Sequence, residues 1–241
     1  PSFDHVIFNS GNTESLNTCL KGILSKDDHV ITTYAEHNSV LRPLRQIGVD
    51  LTVTAPYKED ILKEIREDTK MIVMTHSSNV TGELYDIDAI GQIAHEHHIL
   101  FVVDSAQSAG HISIDMQKSH IDLLTFSGHK GLLGMSGVGG ICINTDTLIQ
   151  PLKTGGTGID SFNKNQPDSY PEHLEAGTLN IPGIASLSAG MTYLLEHQKE
   201  IEEKEKQLFD ALYEGMKRIP GITFYCDYDT CSHTPIIAFN L

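Results

Sequence analysis

The chain has 241 residues and sets 17 Lys and Arg against 32 Asp and Glu, a formal charge of −15, with 39% of it hydrophobic. That length suits one large domain, or one and part of another, and the negative excess repels phosphate backbones and acidic membranes, which argues against nucleic-acid and membrane-surface roles. No run approaches the roughly 18 consecutive apolar residues of a membrane span, so a soluble, core-forming chain is expected.

Short apolar runs alternate with helical patterns, the mark of an α/β layer architecture with a mainly parallel mixed sheet. His5–Asn9 reads as the first strand, and a helical pattern opens at Thr13. His29–Thr33 and Asp50–Thr54 follow as strands, then Lys58–Arg66 as a helix with Ile61, Leu62 and Ile65 on one face. Met71–His76 is the next strand, and the helix Asp86–His97 places Ile87, Ile90, Ile93 and Ala94 together. Ile99–Val103, Asp122–Phe126 and Val138–Ile143 complete the strands. The stretch Lys153–Pro171, rich in Gly, Asn and Pro, is long enough to be a functional loop. From Ile184 the sequence is helical for about nine turns, until Pro220-Gly221 ends it. Its middle, Glu196–Lys206, is almost wholly polar, so its two ends are expected to pack on different bodies. A boundary near Leu195 gives a large domain over 1–195 and the start of a smaller α+β domain over 196–241. Pro235–Leu241 reads as a strand, and with apolar runs at both ends the chain reads as a piece of a longer protein.

Two clusters invite a site and receive a plainer assignment. His95, His97 and His98 end an amphipathic helix and point in different directions, so a solvated helix end is expected and no metal site. The four cysteines, Cys19, Cys142, Cys226 and Cys231, contain no CxxC pair, and reduced structural thiols in a cytoplasmic protein fit them.

The informative residues are those that follow the apolar runs, because open α/β sheets bind ligands at the carboxyl ends of their strands. Ile99–Val103 ends in Asp104-Ser-Ala-Gln107, and Asp122–Phe126 ends in Ser127-Gly-His-Lys130. A carboxylate directly after five apolar residues needs a cationic or hydrogen-bonding partner, and a lysine beside it would serve. Lys130, flanked by Gly128 and Gly131, has the setting of an amine with a lowered pKa that forms a Schiff base. Asp104 facing the ring nitrogen of pyridoxal phosphate would keep it protonated, and Gln107 would donate to the ring hydroxyl. Phosphate donors are available at Thr13, on a helix N-terminus, and at Ser127 and His129. His37 follows the strand His29–Thr33 to the same edge, where an imidazole can stack on a flat ring. Taken singly, Lys130 reads as a surface lysine, His37 as a polar loop residue, and Asp104 and Thr13 as helix caps; the conjunction favours the cofactor. The GxxxxGK[ST] spacing of a nucleotide phosphate loop is absent.

The motifs Ser10-Gly-Asn-Thr-Glu14, Glu36-His-Asn-Ser39, His76-Ser-Ser-Asn79-Val-Thr-Gly82, Asp104-Ser-Ala-Gln107, Ser127-Gly-His-Lys130 and Glu175-Ala-Gly-Thr178 resemble, in order and over essentially the whole chain, those of class V aminotransferases, particularly the cysteine desulfurase branch. The resemblance implies a three-layer pyridoxal-phosphate-dependent transferase fold. It makes Lys130 the cofactor lysine, Asp104 the partner of the pyridine nitrogen and Gln107 that of the ring oxygen, with His37 stacked on the ring and assisting proton transfer. Asn12 through its backbone, Thr13, Ser127 and His129 would hold the phosphate, and Asn79 would place the substrate. Thr178 would reach the phosphate of the neighbouring subunit, which implies a homodimer with a shared active site.

The implied reaction converts L-cysteine to L-alanine, passing sulfur to an enzyme thiol beyond Leu241 and then to a sulfur-acceptor protein. The family's persulfide cysteine and carboxylate-clamping arginine both belong to that later segment, and Arg42, Arg45, Arg66 and Arg218 follow no motif as a clamp would. A class V aminotransferase, a selenocysteine lyase-like enzyme and a non-catalytic interaction protein on the same scaffold are the alternatives.

Overall fold

The computed structural model describes residues 5–241. One 7-stranded sheet contains β1 (Val6–Asn9), β2 (His29–Thr33), β3 (Asp50–Thr54), β4 (Thr69–Thr75), β5 (Leu100–Asp104), β6 (Leu123–Ser127) and β7 (Gly139–Ile143), in the order β1-β7-β6-β5-β4-β2-β3. Strands β2 to β6 pair in parallel, whereas β7 is antiparallel to both β6 and β1. It follows that β1 runs in the same sense as β6, and the carboxyl ends of β1, β2, β4, β5 and β6 share one edge of the sheet. Each strand lies within two residues of its expected bounds.

Helices cover both faces. On one, α1 (Asn12–Ile23) and α2 (Asn38–Ile47) set Leu16, Leu20, Val40 and Leu44 against Val30, Met71, Val73 and Val102. On the other, α3 (Lys58–Glu64) and α4 (Ile87–Glu96) set Ile61, Ile87, Ile90 and Ala94 against Ile31, Ile72, Met74, Phe101 and Val103. Neighbouring strand residues thus divide between the two cores, as the pleat requires. No helical pattern is evident in the sequence for α2, because Pro43 lies inside it and forfeits the hydrogen bond to the Ser39 carbonyl. The helix is held instead by burial of Val40, Pro43 and Leu44 and by left-handed Gly48 at its end.

Helix α5 (Ile181–Met216) starts three residues before its apolar pattern, where Asn180 Oδ1 accepts from Gly183 N at 3.1 Å. Its buried residues are confined to the two ends, Gly183 and Leu187 at one, Phe209, Tyr213 and Met216 at the other. Of the second group, Phe209 and Tyr213 join Tyr228 and Phe224 of β8 (Thr223–Phe224), which pairs with β9 (Phe239–Asn240). Only those last two residues of the expected strand Pro235–Leu241 are in a ladder. Upstream of them the backbone is bonded elsewhere, with Leu84 N donating to Ser232 O and Thr234 N to Gly82 O. Among the described residues no helix is long and apolar enough to cross a membrane.

Two close fits position the carboxyl edge. Gly11 precedes α1 at φ +146°, a conformation that favours glycine, and a Cβ on Gly139 of β7 would lie 2.6 Å from Gly11 Cα and from Phe126 O. Glu36, after β2, is buried and ties two strands: Oε1 accepts from Thr33 Oγ1 at 2.7 Å and from Thr75 N at 2.9 Å, while buried Oε2 has no partner. Burial pushes its carboxyl up to about 8, opposed by those two donors and reinforced by the charge of Asp104.

These fits make two predictions. Gly139→Ala should lower the melting temperature of the full-length protein and raise amide exchange at the start of α1; unchanged exchange there would contradict the close fit. Glu36 holds a proton in the native state that the unfolded chain releases above its ordinary value of 4.5. Its contribution is complete below that value and is lost as pH rises through about 8. Denaturant melts should show wild type losing stability relative to Glu36→Gln across this window, by up to about 1.4 kcal/mol per pH unit. Parallel curves would exclude a neutral Glu36.

Candidate active site

A cavity of about 250 Å³ opens at the shared carboxyl edge. It gathers Asn12 and Thr13 from the start of α1, His37 after β2, Asn79 after β4, Asp104 and Gln107 after β5, and Ser127, His129 and Lys130 after β6. Every residue singled out from sequence lines it except Thr178. That residue is exposed and lines a neighbouring cavity with Lys153 and Glu14.

Asp104 is 2% exposed at the end of an apolar strand, and its Oδ1 accepts from Asn12 Nδ2 at 2.8 Å and Ala106 N at 2.9 Å. The second contact is the turn-capping bond expected of an aspartate; the first comes from a side chain whose backbone alone was expected to act. Lys130 makes no ion pair with Asp104 among the described residues and acts on it through space. Burial raises the proton affinity of Asp104, against the hydrogen bonds from Ala106 and Asn12 and the charges of Lys130 and His37. Burial likewise lowers that of Lys130, and Asp104 only partly restores it. For both groups desolvation outweighs their attraction, so the cavity disfavours charge on its carboxyl and on its amine alike.

The ring of His37 is fixed by the backbone that follows it. As N-cap of α2, its Nδ1 accepts from Ser39 N at 3.2 Å and lies 2.9 Å from Ser39 Oγ, which in turn lies 2.8 Å from Thr13 Oγ1. With Nδ1 accepting, the neutral ring carries its proton on Nε2, which has no protein partner among the described residues. Ser39 therefore couples the ring to the start of α1, a role no spacing reveals. Ser127 Oγ lies 3.2 Å from His129 Nδ1.

The start of α1 is suited to an anion. No side chain caps it, and the Gly11 carbonyl is taken by Glu14 N and Ser15 N. Glu14, a carboxylate in that first turn, is neutralised: Lys153 Nζ approaches its Oε1 at 2.6 Å, and Ser10 N and Oγ donate to its Oε2. Burial alone would raise Glu14, but Lys153 and Ser10 hold it below its ordinary range. Lys153 comes from the long loop, which thus reaches the site. His95, His97 and His98 are exposed, and among the described residues no cluster of three or more His, Cys, Asp or Glu is disposed to hold a metal.

The residues fit pyridoxal phosphate on their own chemistry. A buried carboxylate with only neutral direct donors suits a protonated ring nitrogen, and a shielded amine and an uncapped helix end with hydroxyl neighbours suit an aldehyde and a phosphate.

The family profile described as Aminotransferase class-V matches residues 1–241. A probable cysteine desulfurase of Pyrococcus abyssi is 32% identical, over 99% of this chain and 64% of the relative. The cysteine desulfurase IscS of Dictyoglomus turgidum is 33% identical, over 90% of this chain and 59% of its own length. Among solved structures, the cysteine desulfurase CsdA of Escherichia coli has a TM-score of 0.89 at 27% identity, covering 100% of this chain and 64% of that one. The apo cysteine desulfurase of Thermococcus onnurineus has a TM-score of 0.87 at 32% identity, with the same coverage of 100% and 64%. This chain spans a little under two thirds of these relatives' length. With a whole-chain profile match and a sheet that superposes on such enzymes, the chain belongs to the class V aminotransferase family, which depends on pyridoxal phosphate.

Proposed function

We propose that the full-length protein is a cysteine desulfurase that takes L-cysteine, releases L-alanine and passes sulfur to a thiol of its own outside these residues, and from there to an acceptor protein. The observation that carries this is the buried Asp104, held by Asn12, in one cavity with Lys130 and His37. Bound pyridoxal phosphate supplies an electron sink for negative charge at the substrate α-carbon.

The chain's residues then divide the work. Lys130 is the amine that would hold the cofactor; its lowered proton affinity keeps more of it neutral and nucleophilic, and the same amine would serve as a base towards the substrate α-carbon. Asp104 would hold the ring nitrogen, whose positive charge would relieve the cost of its burial, while Asn12 and Ala106 hold Oδ1 in place. Gln107 serves the ring oxygen. His37, oriented by Ser39, would pack against the ring and offer Nε2 for proton transfer. The α1 amides, Thr13, Ser127 and His129 hold the phosphate, with Lys153 cancelling the nearby charge of Glu14. Asn79 orients the substrate beside the ring.

Within this proposal the protein is a homodimer. Thr178 lies outside the Lys130 cavity and serves the partner's phosphate, and wholly exposed Phe162 on the long loop is covered by the second subunit. Residues 1–195 form the cofactor-bearing domain and 196–241 begin a second one, which the burial of only the two ends of α5 supports. Four free cysteines support a reducing, cytoplasmic setting.

The full-length protein should show an absorbance band near the visible edge that borohydride removes, and release sulfide and alanine from L-cysteine. Lys130→Ala should lose the band and lower turnover by roughly 10²–10⁴-fold. Amino-group transfer without sulfide release would replace desulfuration with transamination, and absence of the band in wild type would end the proposal. Asn12→Ala should weaken cofactor retention by about 1–3 kcal/mol, roughly 5- to 150-fold in Kd; unchanged retention would remove Asn12 from the cofactor's support.

A further inference from the structure

The spacing of Cys226 and Cys231 suggests two separate structural thiols, but the fold joins them. Between β8 and β9 the backbone makes one tight turn, in which Thr230 N and Cys231 N both donate to Asp227 O at 3.1 and 2.9 Å. The turn brings Cys226 Sγ to 2.7 Å from Cys231 Sγ, with both cysteines free of a disulfide and half-buried. A disulfide bond is about 2.05 Å long, so a sub-ångström approach of the sulfurs closes it.

The same turn grips the active site. Tyr228, between the two cysteines, donates from its hydroxyl to Thr81 O at 2.9 Å and accepts from Ala238 N at 2.7 Å. Just after Cys231, Ser232 O accepts from Leu84 N at 2.9 Å, and Thr234 N donates to Gly82 O at 2.8 Å. Thr234 Oγ1 also lies 2.9 Å from Ser77 Oγ. Gly82, at φ +77°, is so close that a Cβ would lie 2.9 Å from the carbonyls of Thr234 and Ile236. The segment Ser77–Leu84 held in this way carries Asn79 into the cavity that contains Lys130.

We propose that Cys226 and Cys231 form a reversible oxidation site, closed to an intramolecular disulfide by exchange with a low-molecular-weight disulfide, and that closure stiffens the Asn79 segment through Tyr228 and Ser232. In the first step one thiol loses its proton and attacks the external disulfide, forming a mixed disulfide and releasing one small thiol. The other thiol then attacks the mixed disulfide, forms the internal S–S bond and releases the second small thiol. Two protein S–H bonds and one external S–S bond are thus exchanged for one protein S–S bond and two external S–H bonds. Burial and the adjacent Cys231 sulfur push the Cys226 thiol up. Cys19 and Cys142 are no rivals: among the described residues neither has a second thiol in contact, and Cys19 lies wholly inside the core.

The test equilibrates the full-length protein with reduced and oxidised glutathione, quenches it by alkylation and maps the cysteines by mass spectrometry. Under oxidising poise a Cys226–Cys231 linked species lighter by two hydrogens is expected, reversible by a dithiol, and Cys226→Ser should instead trap glutathione on Cys231. Amide exchange over residues 77–84 should slow about fivefold or more on oxidation of wild type, and stay unchanged in Cys226→Ser. Thiols that remain alkylatable at every poise overturn the site. A disulfide that forms without slowing exchange over 77–84 overturns its link to the Asn79 segment.

Discussion

A carboxylate placed where water cannot reach it governs this structure. Asp104 ends a strand buried on both faces, and its partners within the chain, Asn12 Nδ2 and Ala106 N, are neutral. Two such hydrogen bonds do not repay desolvation, and a second buried carboxyl, Glu36, lies near enough to feel its charge. Among the described residues Lys130 makes no ion pair with it, and burial penalises that amine as well. The imbalance is useful in a cofactor site. In the proposed function a protonated ring nitrogen would supply a positive charge, and burial would favour it for the same reason that it disfavours the site's own charges.

The sheet makes this possible by bringing five chain segments to one edge. Reversal of β7 between β6 and β1 lets the first strand run with the parallel set, and so delivers the start of α1 to Asp104. The contact between Gly139 and Gly11 sets how closely that helix approaches. An acidic chain that holds a phosphorylated group needs local compensation, and the long loop supplies it by pairing Lys153 with Glu14. The C-terminal segment reaches the site by a different route, through Tyr228, Ser232 and Thr234 bonded to the Asn79 segment.

Legibility followed the range of the forces involved. Strands β2, β4 and β5 are apolar runs bounded by turns and were readable as such. Helix α2 was not, since Pro43 argues against a helix locally and only burial of Val40 and Leu44 overrides it. The expected strand at Pro235–Leu241 shrank to two ladder residues because its earlier backbone groups are bonded locally, Ile236 N to Thr234 O and Ala238 N to the Tyr228 hydroxyl, just after Ser232 and Thr234 dock on the Asn79 segment. Motifs identified which residues carry polar chemistry; they could not reveal that Ser39 links His37 to Thr13, or that Asn12 turns its side chain onto Asp104.

By itself, the amino-acid sequence determined the α/β class, the order of its strands along the chain and the residue types at each carboxyl end, because periodicity and turn chemistry are local. Tertiary structure decided which of those residues meet. The hydrogen bonds of Asn12, Glu36 and Ser39, and the meeting of Cys226 with Cys231, depend on distances set by sheet order and turn geometry. The charge of −15 constrained the surface as a whole, but proton affinities inside the cavity were set by burial, which only the packed chain creates.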